Sequence, residues 1–146
     1  RKVEMKAKQF LFVAVVVAML GAMIAFPVMA EDETSMWVSR VRLAYNGRSS
    51  HSSDRVVGMV HVRDANMSAV AGALVAATWT KPDGTTLEAT AVTDFQGIAT
   101  FQVWAGSGEY QLCVTDVALA GWFYDASANV ESCGVLVIQW PFNPPG

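Results

Sequence analysis

From Trp37 onward, apolar residues recur at every second position in short runs, and Gly, Asp, Asn, Pro or Ser interrupts each run. No stretch after residue 36 carries a 3.6-residue apolar period, so nothing there can present one apolar side of a helix. The runs read as strands: "WVSRVRLAY" (37–45), "RVVGMVHVRD" (55–64), "ALVAATWTK" (73–81), "TTLEATAVT" (85–93), "IATFQVW" (98–104), "YQLCVTDV" (110–117) and "CGVLVIQW" (133–140). Between them lie polar turns, among them Lys81-Pro82-Asp83-Gly84, Asp94-Phe95-Gln96-Gly97 and Ala105-Gly106-Ser107-Gly108. Gly72, Gly84 and Gly97 supply the positive φ such turns need, Asp83 and Gly108 are turn-forming beside them, and Asp94 can bond backbone amides ahead of it. Thr93 is expected to act in the same local way. Seven short strands at this spacing predict an all-β sandwich, each sheet burying one face against the other. Alternation assigns Val56, Val60, Val62, Trp79, Ala99, Phe101, Val103, Tyr110 and Leu112 to the core. It turns Arg40, Arg42, Arg55, His61, Arg63 and Trp104 outward.

The start of the chain is of another kind. Lys2, Lys6 and Lys8 precede an uncharged run from Phe10 to Phe26, followed by Pro27-Val28-Met29-Ala30 and the acidic Glu31-Asp32-Glu33. A basic segment, an apolar core and small residues at Val28-x-Ala30 make a secretory signal peptide, with Met5 as the expected start. The run of 17 residues also lies at the short limit for a spanning helix, so the rival is a retained hydrophobic anchor helix. Either way the remainder lies outside the cytoplasm: secreted, periplasmic or at the cell surface. The expected organisation is a signal or anchor segment (1–30), an acidic linker (31–36), the sandwich (37–140) and a Pro-rich tail (141–146).

Past residue 30 the chain holds six arginines and lysines against twelve acids, a formal balance of −6. That charge gives no long-range attraction to a phosphate backbone or an anionic membrane, so nucleic acid is not expected as a partner. A membrane enters only if residues 10–26 are retained. Cys113 and Cys133, two cysteines in an exported domain, read as one disulfide. Closing a loop of that length contributes about 3 kcal/mol on the chain-entropy argument. No zinc-like ligand spacing flanks them.

"VHVRDANMSAVAGALVAATW" and "AVTDFQGIATFQVWAGSGEYQLCV" carry a further pattern. It resembles bacterial immunoglobulin-like domains of the invasin/intimin type, with V-x-V-x-D-x-N, V-x-G-A-x-V, T-D-x-x-G-x-A-x-F and G-x-Y-x-L-x-V. It is similar also to carboxypeptidase regulatory-like and prealbumin-like sandwich modules. The resemblance runs from about Val56 to Val117. Met67 stands where the pattern has Gly after Asn66, and Ala69 where it has Pro before Val70, so the 64–72 turn is less sharply specified. The resemblance implies a seven-stranded immunoglobulin-like sandwich, non-enzymatic, that acts as a spacer, adhesive stalk or accessory domain.

Groups that could do chemistry are sparse. "HSSD" (51–54) holds the letters of a Ser/His/Asp triad, but consecutive loop residues cannot build one. Asp116, Asp125, Asn129 and Glu131 are weak Ca²⁺ candidates by their oxygen ligands, without a recognised loop spacing. No cofactor is expected. Trp104 and the loop residues Trp122, Phe123 and Tyr124 are the candidate interaction surface, because exposed aromatic groups stack on sugar rings or anchor a protein partner. The function expected is extracellular protein–protein interaction, adhesion or surface structure, the partner being a protein or a surface polymer. The alternatives are a carbohydrate-binding module using exposed Trp residues and a surface-fibre subunit assembled by strand exchange.

Overall fold

The computed structural model describes residues 34–47 and 54–139. The segment 1–30, His51 and the tail 141–146 lie outside them. Eight strands form: β1 (Ser35–Asn46), β2 (Arg55–Asp64), β3 (Leu74–Thr80), β4 (Thr86–Val92), β5 (Ile98–Trp104), β6 (Gly108–Ala118), β7 (Phe123–Tyr124) and β8 (Cys133–Ile138). They make two four-stranded sheets, ordered β5-β2-β1-β7 and β4-β3-β6-β8. Seven strands were expected; the eighth is β7, inside the stretch read as an aromatic loop. Two residues cannot show an alternation, and β7 exists only through its parallel pairing with Ser35 and Met36. The same pairing draws residues 35 and 36 into β1, where an acidic linker was expected.

The core between the sheets follows the alternation. Val56, Val60 and Val62 of β2, Val75, Ala77 and Trp79 of β3, Ala99, Phe101 and Val103 of β5, and Tyr110 and Leu112 of β6 are buried. Two bulges shift the phase. At Ser39 the pairing steps from Val38 opposite Val62 to Arg40 opposite His61. One extra residue lets both Val38 and Val41 point inward, and both are buried. At Thr115 the register against β3 slips between Ala76 and Ala77, which turns Val117 inward beyond the half-buried Val114.

Gly58 is a strand glycine with a packing reason. A Cβ there would overlap Leu112 Cδ2 and stand 3.2 Å from Trp79 Cη2. The missing side chain is the hole into which the fully buried indole fits. Trp79 Nε1 is the one buried side-chain polar atom without a hydrogen-bond partner among the described residues, so Trp79 serves by bulk.

Cys113 and Cys133 stand directly opposite each other on β6 and β8 and form a disulfide, with Cα atoms 4.1 Å apart. Leu112 beside Cys113 is buried and Cys133 is exposed, so the bridge lies on the outer face of its sheet. It ties the edge strand β8 to its neighbour. A disulfide in this place fits an oxidising compartment.

Candidate functional site

Four aspartates shape the turns. Asp94 Oδ1 accepts the amides of Gln96 (2.9 Å) and Ile98 (3.0 Å), and the Gly97 amide donates to Asp94 O. Asp64 repeats the set, its Oδ1 accepting Asn66 and Ser68 (both 2.9 Å) while the Met67 amide donates to Asp64 O. Asp83 Oδ1 takes the Thr85 amide and hydroxyl, which holds its carboxyl below the usual carboxylate range. Asp125 caps the short 3₁₀ turn Ala126–Ala128 through Ser127. Gly72, Gly84, Gly97 and Gly108 all have positive φ, and Met67, at φ 63°, is the one non-glycine residue that shares it among the described residues. Thr93 differs from its expected local role: its hydroxyl accepts the Ala73 amide and donates to Val70 O. Buried just past β4, it reaches a strand start twenty residues back.

The aromatic candidates divide. Trp104 ends β5 on the outer face and is 63% exposed, with the Arg55 guanidinium 2.9 Å from the ring centroid, a cation–π contact. Phe123 is also exposed, whereas Trp122 and Tyr124 pack against the core. The four therefore do not form one surface. The segment after β7 instead covers the free edge of β1: Asn129 Oδ1 accepts the Val38 amide (2.8 Å), and Glu131 Oε2 accepts the Val41 amide (2.9 Å). Asn129 Nδ2 also donates to Tyr124 Oη (2.7 Å). Unpaired edge amides invite foreign strands, and these side chains occupy them.

That use of Asn129 and Glu131, with Asp125 in its cap and Asp116 exposed on β6 opposite Ala76, separates the four weak Ca²⁺ candidates. Among the described residues no group of three or more His, Cys, Asp or Glu side chains is placed to hold a metal. Of "HSSD" the described member is Asp54, which is buried and accepts the Tyr45 hydroxyl at 2.5 Å. That bond, with Asp54's charge, pushes the Tyr45 phenol up to about 12. Its stabilising effect is complete below the ordinary phenol range and is lost as pH rises through about 12.

Pairing in register gathers residues that the strand-by-strand reading left scattered. Opposite Arg40 is His61, opposite Arg42 is Met59, and opposite Trp37 is Arg63; across β2, Arg55 faces Trp104 and His61 faces Ile98. The outer face of β5-β2-β1 thus carries Arg40, Arg42, Arg55, Arg63 and His61. Arg63 Nη1 donates to Gln96 O (2.8 Å) and Arg55 Nη1 to Asp54 O (3.2 Å), so both are braced by carbonyls. The guanidinium groups of Arg40 and Arg42 have no hydrogen bond or ion pair among the described residues. His61 is held below its ordinary value by partial burial and by Arg63, Arg40 and Arg42, which together outweigh Asp94. The signal was present in the sequence: both β1 and β2 turn arginines to one side, and a hairpin brings those sides together.

The outer face of β4-β3-β6-β8 is different. Register puts Glu88 opposite Thr78, Asp116 opposite Ala76 and Glu109 opposite Val137, beside the disulfide. An open depression of about 260 Å³ lies there, lined by Ala76, Ala77, Glu88, Ala89, Thr90 and Thr115. Small side chains and one carboxylate offer little to grip a ligand. Among the described residues no helix is long and apolar enough to cross a membrane. No family model matches the chain, and comparison with curated proteins and with solved structures finds no match.

Proposed function

We propose that the chain is an exported, disulfide-stapled immunoglobulin-like module, non-catalytic, that serves extracellular interaction, adhesion or surface structure. One observation carries the reading. Trp104 and Arg55 form a large amphipathic pair presented to solvent from the ends of two paired strands, on a scaffold where Trp79 is fully buried and Trp37 half-buried. Exposed aromatic–guanidinium groups on rigid elements are what interaction surfaces are made of. The basic and apolar segments before Val28-x-Ala30, with the disulfide, support export.

The immunoglobulin-like assignment is supported by two four-stranded sheets and by Tyr110. Its hydroxyl, at the start of β6, accepts the Gly106 amide (2.7 Å) and donates to Trp104 O (3.2 Å), much as the tyrosine corner of such domains bonds back to an upstream backbone. The disulfide departs from the antibody pattern, because it joins neighbouring strands within one sheet. Carbohydrate binding is the second reading, favoured by the same Trp104. Against strand exchange stands β1, paired with β2 from Met36 to Asn46 and covered along its other edge from Ser35 as far as Val41.

The test compares the wild type with Trp104→Ala on extracellular surface material of the producing organism. Retention is expected to fall about fivefold or more, the ~1 kcal/mol that separates an anchor from a neutral contact, with thermal stability unchanged. Equal retention of the two proteins would contradict the reading.

A further inference from the structure

We propose that the outer face of β5-β2-β1 binds an acidic polysaccharide, with its carboxylates on Arg40, Arg42 and Arg63 and a sugar ring against Trp104. The inference rests on the interaction reading above and names the ligand class of that surface. Charge complementarity comes first: four arginines stand at outward positions of two paired strands, and no acidic residue occupies an outward position of those strands or of β5. Asp64 and Asp94 are committed to backbone amides in turns at one end of the face. Asp54 beside Arg55 is buried and accepts the Tyr45 hydroxyl, and Glu131 at the β1 edge accepts the Val41 amide. Arg40 and Arg42, two residues apart on one strand face, are separated by about 7 Å, and among the described residues nothing occupies their planar donors, which suit bidentate carboxylate bonds.

Extent argues for a polymer. Arg63 and Arg55 lie at the two ends of β2, about 27 Å apart at the rise of an extended strand. One small anion would engage one end only. The indole at the Arg55 end has that guanidinium over its ring yet stays largely exposed, and the apolar surface left open is one an acidic peptide has less use for and a pyranose can pack on. A folded protein partner would look for a pocket to seat an anchor, and the depression lies on the opposite sheet. Nucleic acid shares the charge, and a single-stranded oligonucleotide is the competitor that tests for it. Partial burial lowers His61 first, and Arg63, Arg40 and Arg42, facing it from β2 and β1, lower it further against Asp94.

The experiment measures binding of the full-length, disulfide-bonded chain in a neutral detergent to polygalacturonate, neutral dextran, polyglutamate and a single-stranded oligonucleotide. Polygalacturonate is expected to bind, with affinity falling as salt rises, and dextran is not. Arg40→Glu with Arg42→Glu should weaken binding about tenfold or more and flatten the salt dependence, because two contacts that release counterions are gone. Arg40→Gln with Arg42→Gln should do the same to a smaller degree. Both pairs change exposed positions, and disulfide formation and melting verify that each variant folds. Polyglutamate or the oligonucleotide bound as tightly as polygalacturonate would overturn the assignment, as would indifference to both arginine pairs. Trp104-dependent retention on extracellular material, without affinity for polygalacturonate, would sink this inference and leave the broader reading standing. Loss of both would sink both.

Discussion

The two outer faces of the sandwich are built on the same plan and end with opposite characters. One carries Arg40, Arg42, Arg55, Arg63 and Trp104; the other carries Glu88, Glu109, Asp116, small residues and the Cys113–Cys133 bridge. The difference teaches that a net charge of −6 says little about either surface. Antiparallel pairing places residues from distant parts of the chain on one face, and their charges add locally before the solvent screens them. It also separates two tasks: the acidic face belongs to the sheet that is covalently tied, and the cationic face to the sheet that offers side chains outward.

Removing the bridge breaks one side of the comparison most severely. Cys113→Ser with Cys133→Ser should cost about 3 kcal/mol by chemical denaturation, while the His61 titration keeps its midpoint; a moved midpoint would mean that the sheets are coupled. Gly97→Ala strikes the other sheet. Its Cβ would stand 2.7 Å from Val62 O and 3.0 Å from Arg63 Nη1, in a left-handed backbone, so a loss of about 2 kcal/mol is expected. Met67→Gly tests the twin turn, where the same φ is held by a residue that is exposed. Relief of the left-handed penalty, partly offset by the unfolded chain's added freedom, should stabilise by about 0.5 kcal/mol. The smallest effect belongs to the acidic face: Glu88→Gln with Glu109→Gln should leave stability within about 0.5 kcal/mol and polygalacturonate binding unchanged or slightly tighter.

Much of this architecture was legible in the sequence, because a period of two survives pairing. The inward valines of β2, Trp79, the β5 set and the outward Trp104 follow from alternation alone. The bulges at Ser39 and Thr115 were not legible: an extra residue carries no composition signal and is decided by what the neighbouring strand requires. β7 was hidden for a related reason, since Phe123–Tyr124 is a strand only because Ser35–Met36 lies beside it. Asp64 and Asp94 show the limit from the other side. Their hydrogen-bond sets are the same, yet one turn takes Met and the other Gly. The backbone of the Val62–Val70 corner closes behind Gly97, a constraint that exists only after folding. The cationic face lay in between, since each arginine's direction was readable and their assembly needed the register.

Because the folded value of His61 lies below its unfolded one of 6.5, the residue subtracts stability as pH falls from 6.5 through that lower value and subtracts none above 6.5. The cationic face is therefore tested most directly by the His61 midpoint, measured by NMR in a His51→Asn background that leaves a single histidine. The account predicts a midpoint below 6.5 that climbs in Arg40→Gln and climbs again when polygalacturonate covers the arginines. A midpoint at or above 6.5, unmoved by Arg40→Gln, would contradict it.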